Sequence, residues 1–551
     1  MEKFAIVGTE YGPVIGAKES TVLGRNYYSF KSIPYMKAPV GNLRFRDAQP
    51  PEKWEDALKT YETRPSYFSV NPMTRKVEGQ EDAGIVSIHT PYLNPSKPLP
   101  VAVFIHGGGF QYAHGESDIF GSDYLLQKDI IFVSINYRVG PLGFLSLKDP
   151  SLNIPGNAGL KDQVFALKWV QRNIMNFGGD PNNVTLFGVS AGAVSVHFLM
   201  ISEKGKGLFN RAIPLSGTSF IKSWVLAPRK DITERLAKSL GWDGNGGEKE
   251  ILEVLENADA SAIVEAESKI LTKEEIMTEH ILFPFVPVVE PYVNENTFVP
   301  EDPILMGRKA WSNDIDCLLG GTSLEGSLMF FGFSGSDKFW EYITTPETLV
   351  PKWELKTNST RHLHTFRFKQ FGDKLKRLYF GDKNFSEETK NEYLRHAGDL
   401  HFWHGIYRAV ISRVVSKGTG KTFLYRFDAQ TSLNMSQLFF QTKLDGAGHG
   451  DDSLYLFYPN VPFFKTPEIG SKEFMLSKQM ISLVTSFIIN GTPEWDGCDF
   501  KCIEKASNIN SVKDLQCLNI GTDSTEITSL PEQDRLKVWD EMLNDVKIPV
   551  V

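Results

Sequence analysis

A serine between two glycines is the residue of this 551-residue chain at which nucleophilic chemistry is most clearly indicated. Residues 188–192 read G-V-S-A-G, the only G-x-S-x-G match in the chain, with Ser190 at the centre. This spacing is typical of a strained turn between a strand and a helix, because the glycines leave room for the crossing backbone. The β-rich run 184–187 precedes the turn and the apolar run 193–200 follows it. The pattern predicts Ser190 as a nucleophile, and a glycine-flanked packing turn is the alternative.

A glycine-rich stretch is predicted to stabilise negative charge beside that serine. Residues 106–110 read H-G-G-G-F and follow the apolar run 101–105. Glycines 107–109 allow backbone N–H groups to converge on one substrate oxygen, and a plain flexible loop is the alternative. Two such donors, together with the N–H of Ala191 at the start of the following helix, predict a three-pronged oxyanion hole.

A histidine and a carboxylate are needed to activate such a serine, and after a strand–turn–helix nucleophile the expected chain order is serine, acid, histidine. Among eleven histidines, His449 stands out because it lies in D-G-A-G-H-G-D-D, beyond the strand-like run 422–427. Glu325 follows an apolar run and a glycine-rich loop, and lies between Ser190 and His449 in the chain. We therefore predict that His449 is the general base and that Glu325 orients it.

Two neighbouring aromatic residues, Phe402 and Trp403, are the candidates from this part of the chain for the wall of a substrate pocket. They are flanked by His401 and His404. Because most histidines are surface or packing residues, we interpret these two as pocket-wall or packing side chains and not as the base.

The elements that would position these residues form an alternation of strands and helices. The runs 101–105, 130–135 and 184–187 are continuously apolar, as strands buried on both faces of a sheet require. Residues 161–176 carry apolar side chains every three or four positions, which predicts an amphipathic helix between two of these strands. This order predicts an α/β fold, a mostly parallel twisted sheet with helices on both faces. The proline-rich stretch 283–287 is interpreted as a loop over the catalytic face.

The composition is that of an ordinary globular protein, with 41% hydrophobic and 23% charged residues and a net charge of −8. No block of like charges predicts a nucleic-acid surface. Four cysteines are too few for a disulfide framework, so we expect reduced thiols and neither a metal nor a cofactor. Residues 1–8 lack a signal-peptide core and no run is long enough to span a bilayer, so we expect an intracellular, cytoplasmic protein. No linker divides the chain, which predicts one domain over residues 1–551.

The whole chain resembles the type-B carboxylesterase/cholinesterase family of α/β-hydrolases. The matching stretches outside the candidate site are 33–35 (I-P-Y), 39–45 (P-V-G-N-L-R-F), 157–163 (N-A-G-L-K-D-Q), 177–181 (F-G-G-D-P) and 490–493 (N-G-T-P). Within the family the chain is most similar to the insect α-esterases, a largely intracellular group linked to detoxification and insecticide resistance. That likeness is carried by residues 241–244, 285–292 and 516–520.

The resemblance implies roles for several further residues. It implies one large domain whose active site lies at the bottom of a gorge built by long insertions. The residues that it assigns to the oxyanion hole are Gly108, Gly109 and Ala191. It also implies that Ser216 is a partner behind the catalytic set, that Trp224 lines the acyl pocket, and that Arg44 and Glu81 form a structural ion pair.

Departures from the family pattern bear on the substrate. Val189 stands where the family has a glutamate before the serine, which removes a negative charge beside the nucleophile. Ala83 replaces a cysteine of the first disulfide in secreted members, and residues 65–83 contain no tryptophan for cation–π binding of choline. We therefore expect neutral, apolar carboxylic esters as substrates, and organophosphates or carbamates as inhibitors.

The expected reaction is acyl transfer in two steps, with water as the final acceptor. Three alternatives remain open on the sequence: a non-catalytic scaffold on the same fold, a scavenger that is acylated by toxicants and turns over slowly, and a hormone or pheromone esterase of narrow specificity. The sequence also leaves the oligomeric state open.

Overall fold

The computed structural model describes most of the chain. The described residues are 3–72, 74–115, 119–224, 230–332, 338–351, 361–461, 464–512 and 514–545. Within them, no helix is both long and apolar enough to cross a bilayer.

The strands are numbered here in chain order. They are β1 (Phe4–Gly8), β2 (Pro13–Ser20), β3 (Asn26–Pro34), β4 (Leu58–Lys59), β5 (Ser69–Val70), β6 (Val77–Glu78), β7 (Ile85–Thr90), β8 (Leu99–Ile105), β9 (Ile131–Ile135), β10 (Gly179–Val189), β11 (Arg211–Leu215), β12 (Asp316–Thr322), β13 (Thr422–Phe427), β14 (Gln516–Ile520) and β15 (Thr525–Ser529). Within the described ranges, all except β5 and β6, which pair with each other, belong to one sheet of thirteen strands.

The centre of the sheet is parallel, and its edges are antiparallel except where the short β4 pairs in parallel with β2. Seven neighbouring strands, in the spatial order β9-β8-β10-β11-β12-β13-β14, run parallel to one another. Antiparallel pairing adds β7, β3, β2 and β1 at one edge and β15 at the other. The predicted α/β class with a mostly parallel sheet is confirmed.

Helices connect the strands and pack against both faces. The α-helices are Gly140–Phe144, Ala158–Asn173, Ala191–Ile201, Lys230–Ser239, Glu248–Asn257, Ala260–Glu267, Lys273–Thr278, Pro303–Arg308, Ser327–Gly332, Arg361–Phe380, Lys390–Gly398, His404–Val415, Met435–Phe440, Lys472–Asn490 and Gln533–Asp545. A π-helical turn, Asp399–Trp403, joins two of them.

The predicted elements are present, with shifted ends. The helix predicted over 161–176 begins earlier, at Ala158, because the side chain of Asn157 is anchored to the backbone of Val288 and starts the turn there. It tightens into a 3-10 turn over Ile174–Phe177 and stops at Gly178, which has φ +86°. Helices commonly end at such a left-handed glycine.

The core lies on both faces of the sheet because successive side chains of a strand point to opposite sides. In β8, Val101, Val103 and Ile105 belong to one apolar cluster, whereas Ala102 and Phe104 belong to the other. A third apolar cluster lies away from the sheet and is built mainly from residues between 277 and 444. The sheet is therefore a rigid base, and the carboxyl ends of its parallel strands are where side chains from distant parts of the chain can meet.

Candidate active site

Ser190 occupies a strained turn between β10 and the helix that follows it. Its backbone has φ +59° and ψ −126°, a conformation that non-glycine residues rarely adopt and that is held only by the surrounding structure. The flanking glycines are required sterically. A Cβ atom on Gly192 would lie 2.0 Å from the carbonyl oxygen of Ile105, and one on Gly188 would lie 2.4 Å from the carbonyl oxygen of Gly192. The turn thus presents the Ser190 hydroxyl beyond the end of the sheet.

A continuous chain of hydrogen bonds links the three predicted catalytic side chains. His449 Nε2 lies 2.9 Å from Ser190 Oγ, and His449 Nδ1 lies 2.6 Å from Glu325 Oε2. Glu325 is fully buried, and His449 is 9% exposed. Glu325 lies just beyond β12, and His449 lies in the connection after β13, beyond the helix Met435–Phe440, so the parallel sheet brings them to the edge where Ser190 lies. This geometry allows a proton to pass from the serine to the imidazole.

The second oxygen of the buried carboxylate is also satisfied. Ser216 Oγ donates to Glu325 Oε1 at 2.6 Å, and the amide of Thr322 donates to the same atom at 2.7 Å. Both donors lie at the carboxyl ends of neighbouring strands, β11 and β12. With both oxygens engaged, the carboxylate has one fixed orientation toward the imidazole.

The glycine-rich loop packs directly against the serine turn. A Cβ atom on Gly107 would lie 2.7 Å from the carbonyl oxygen of Val189 and 3.1 Å from Ser190 Cβ. Gly108 and Gly109 have φ +96° and +63°. Among the described residues, no acceptor takes the backbone N–H groups of Gly108, Gly109 or Ala191. Three unpaired donors therefore lie in the loop and the turn that surround the Ser190 hydroxyl.

Aromatic rings form a wall on one side of this site. The ring of Phe402 lies 4.6 Å from that of His449, centroid to centroid. Trp224 lies 6.0 Å from Phe402 and 5.4 Å from Phe283, and its Nε1–H donates to the carbonyl of His401 at 3.1 Å. Phe283, from the predicted proline-rich loop, would contact a Cβ atom on Gly109. The rings make an apolar surface beside Ser190.

Trp403, which the sequence places with Phe402 in the pocket, lies behind the loop that carries Glu325. Its Nε1–H donates to the carbonyl of Thr322 at 2.8 Å, and its ring would contact a Cβ atom on Gly321. The two residues are consecutive in a helical turn, so their side chains point in different directions. Phe402 thus faces His449, whereas Trp403 supports the loop that carries Glu325.

The other two histidines of this segment are engaged in structural contacts. His401 Nδ1 lies 3.0 Å from Ser223 Oγ, and burial together with the nearby His280 and His396 holds the pKa of His401 well below its usual range. His404 Nε2 lies 2.7 Å from Asp540 Oδ1. These contacts agree with the packing interpretation of both histidines.

A buried carboxyl next to the site, Asp452, escaped the sequence-based prediction. The phenol of Tyr425 donates to Asp452 Oδ2 at 2.7 Å, whereas Oδ1 is buried and has no hydrogen-bond partner among the residues that the structure describes. Burial raises the pKa of Asp452 to about 6, and the charge of Glu325 adds to the increase. The signal was present in the sequence, since two aspartates follow His449 and Gly450 directly.

In the parts of the chain that the structure describes, no three His, Cys, Asp or Glu side chains are grouped so that they could hold an ion.

Comparisons with known proteins find relatives over nearly the whole chain. The model of the carboxylesterase family matches residues 3–539. The chain is 37% identical over 546 residues to Esterase B1 of Culex pipiens, covering 98% of both chains, and 33% identical to a juvenile hormone esterase of Tribolium castaneum, covering 97% of this chain and 93% of the relative. Among solved structures, juvenile hormone esterase from Manduca sexta with OTFP covalently attached has a TM-score of 0.83 and 30% identity, covering 98% of this chain and 100% of that one.

Proposed function

Because the chain belongs to the carboxylesterase family and is a carboxylic ester hydrolase, we propose that it works as a serine esterase with Ser190 as its nucleophile. The observation that carries this proposal is the chain of hydrogen bonds from Ser190 Oγ through His449 to Glu325, at 2.9 and 2.6 Å. A serine hydroxyl is a weak nucleophile alone and is activated by an adjacent base that a third group orients.

In the first step Ser190 Oγ attacks the ester carbonyl carbon while His449 Nε2 takes the hydroxyl proton. The carboxylate of Glu325 stabilises the imidazolium that forms, through the contact to Nδ1. The tetrahedral intermediate collapses when His449 returns the proton to the leaving alcohol, which leaves an acyl group on Ser190. In the second step water replaces the alcohol, and the acid is released.

The oxyanion of each intermediate is stabilised by backbone donors of Gly108, Gly109 and Ala191. These amides have no acceptor among the described residues, so they are available to a substrate oxygen without breaking a protein hydrogen bond. Each such donor typically contributes about 3–4 kcal/mol to transition-state stabilisation. The start of the helix after Ser190 adds its positive dipole end.

The substrate class is neutral and apolar. Trp224, Phe283 and Phe402 present rings beside the nucleophile, and Val189 brings no charge to the position before it. A cationic alcohol would lose its hydration against such a surface without gaining a counter-ion. The same nucleophile is suited to covalent reaction with organophosphates and carbamates, which supports a role in detoxification.

A second candidate is a hormone esterase of narrow specificity. The likenesses to juvenile hormone esterases of Tribolium castaneum and Manduca sexta favour it. Both candidates use one site and differ only in how many esters react at comparable rates.

The test is stopped-flow hydrolysis of a neutral aryl acetate by the wild type and by Ser190→Ala. We expect a burst of one phenol per chain followed by steady turnover in the wild type, and a loss of at least about 10⁴-fold in the variant. A panel of neutral esters with varied acyl and alcohol chains, and one choline ester, then measures kcat/KM. Values within about tenfold of one another favour a general esterase, whereas one ester preferred by a hundredfold or more favours the hormone esterase.

Four results would contradict parts of this proposal. A burst that survives in Ser190→Ala would show that another residue is acylated. A choline ester preferred over neutral esters would overturn the substrate class. A wild type with neither burst nor turnover on the whole panel would support a non-catalytic scaffold, and a burst with almost no turnover would support a scavenger.

A further inference from the structure

The loop that carries His449 is fixed by two serines that flank Glu325 at equal distances along the chain. Ser323 Oγ accepts the amide of Ala447 at 2.9 Å, and Ser327 Oγ accepts the amide of His449 itself at 2.7 Å. The two serines lie two residues before and two residues after Glu325. The loop that carries Glu325 (residues 323–327, the acid loop) and the loop that carries His449 (residues 445–450, the base loop) are therefore joined on both sides of the contact between Glu325 and His449.

Backbone contacts between the same loops add to these serine contacts. The amide of Leu324 donates to the carbonyl of Ala447 at 2.8 Å, and Leu324 forms a parallel bridge with Gly448. A Cβ atom on Gly448 would lie 2.8 Å from Ser327 Oγ, so a side chain at position 448 would force the two loops apart. The close approach depends on the absence of that side chain.

The side chain of Asp451 accepts the backbone amide of Gly448, which lies between the amides of Ala447 and His449. Asp451 Oδ2 accepts the amide of Gly448 at 2.5 Å and the side-chain amide of Asn434, while Oδ1 accepts the amide of Met435 at 2.7 Å. Three consecutive amides, those of residues 447, 448 and 449, are thus each accepted by a side-chain oxygen. The base loop can therefore adopt another conformation only if these hydrogen bonds break.

We propose that Ser327 and Ser323 are positioning residues that fix the imidazole of His449 between Ser190 and Glu325. The proposal rests on the function proposed above, in which His449 transfers the proton. Ser327 is fully buried, so no water replaces its oxygen if the hydroxyl is removed. The amide of His449 would then be a buried donor without an acceptor, and the loop would move to find one.

Such a movement affects the rate more than binding. His449 must keep two contacts, 2.9 Å to Ser190 and 2.6 Å to Glu325, and a shift of about 1 Å in a catalytic group can cost about 10²-fold in rate. Neither Ser323 nor Ser327 takes part in the aromatic wall or the glycine-rich loop. Substrate affinity should therefore stay the same while the acylation rate constant falls.

The experiment measures the acylation rate constant per active site, counted from the burst of a neutral aryl acetate, together with its dependence on ester concentration. For Ser327→Ala we expect a rate constant about 10- to 100-fold lower and a half-saturating concentration within about twofold of the wild type. For Ser323→Ala we expect the same pattern with a smaller loss, about 3- to 10-fold, because its oxygen accepts the amide two residues before His449.

Ser29→Ala is the matched control. Ser29 is fully buried like Ser327, and its hydroxyl lies 3.1 Å from His89 Nδ1, in the antiparallel part of the sheet. It should change the rate per titrated site less than twofold. If Ser327→Ala fails to fold, Ser323→Ala, which changes a half-buried residue, tests the proposal.

Wild-type acylation per titrated site in both alanine variants would overturn the positioning role, even if both melt at lower temperature. So would a loss confined to the half-saturating concentration. Neither result contradicts the proposed function, which is tested by the comparison of the wild type with Ser190→Ala. A missing burst in the wild type would instead overturn that function.

Discussion

At the scale of single residues, the site depends on buried polar groups whose partners come from other loops. Glu325 is satisfied by Ser216 and Thr322, whereas Asp452 has one oxygen satisfied by Tyr425 and one with no partner in the described part of the chain. Burial without full hydrogen bonding disfavours the charged form of a carboxyl group. The consequence is a stability that depends on pH.

We predict that the free energy of unfolding of the wild type, relative to Asp452→Asn, falls as pH rises from about 4 to about 6. The raised pKa of Asp452, about 6 in the folded chain against about 3.9 when unfolded, means that the folded state holds this proton more tightly. Its contribution is fully present below pH 4 and is lost as pH rises through 6, by about 3 kcal/mol in total. Urea unfolding of both proteins from pH 4 to 8 measures the difference.

Asp129→Asn is the control for this prediction. Asp129 is largely exposed, so Asp129→Asn removes no buried carboxyl group, and any fall of its difference from the wild type between pH 4 and 6 should be smaller than that for Asp452→Asn. A difference curve for Asp452→Asn that is flat, or that rises with pH, would contradict the expected sign.

Ser190, Glu325 and His449 can be predicted from the sequence because a motif, a chain order and glycine-rich surroundings single them out. Ser323 and Ser327 cannot be predicted in this way. Their role exists only where the acid loop meets the base loop, and the Ser327–His449 contact joins residues 122 positions apart. No local pattern marks which of many serines will meet a particular amide.

At the scale of elements, the strand–turn–helix unit around Ser190 is the part of the site that is most strongly determined locally. Its glycines are required by backbone contacts and not by flexible side chains. The ends of other elements depend on tertiary contacts, as in the helix that begins at Ala158 because Asn157 is held by Val288. Phe402 and Trp403 are consecutive in one helical turn and so point in different directions, and which of them faces His449 is decided by tertiary packing.

For this unit we predict that Gly192→Ala abolishes activity and destabilises the fold. The new Cβ atom would lie 2.0 Å from the carbonyl oxygen of Ile105, so β8 and the helix after Ser190 must separate. Overpacking of this kind typically costs about 1–3 kcal/mol or more, and the donors of the glycine-rich loop move with the end of β8. The burst of a neutral aryl acetate and the urea midpoint report the two effects.

Gly8→Ala is the matched control, since no atom lies within 4 Å of a Cβ atom at that position and Gly8 has no positive φ. It should keep the burst and the midpoint of the wild type. Full activity in Gly192→Ala would show that the turn can relax and that the close packing is not required.

At the scale of the whole molecule, the sheet order follows from the alternation of strands and helices, whereas the apolar cluster formed mainly by residues 277–444 could not be predicted. That cluster joins segments from far-apart places in the chain, including Leu324, Tyr393 and Trp539. Apolar periodicity shows that a helix has a buried face and does not show which other segment covers it. The layers that are held by short connections were therefore easier to predict than the region over the site.

A buried ion pair, Arg138 with Asp162, ties the helix Ala158–Asn173 to the segment after β9. The guanidinium contacts the carboxylate twice, at 2.8 and 2.6 Å, and both side chains are almost fully buried. We predict that Asp162→Asn lowers the free energy of unfolding by about 3–5 kcal/mol, because it leaves an uncompensated buried charge. Replacing both residues, as in Arg138→Met with Asp162→Leu, should recover much of that loss.

Glu52→Gln, which breaks an exposed pair with Lys37, is the control and should change the urea midpoint little. If Asp162→Asn were no worse than Glu52→Gln, the pair would not stabilise the packing of this helix against the sheet.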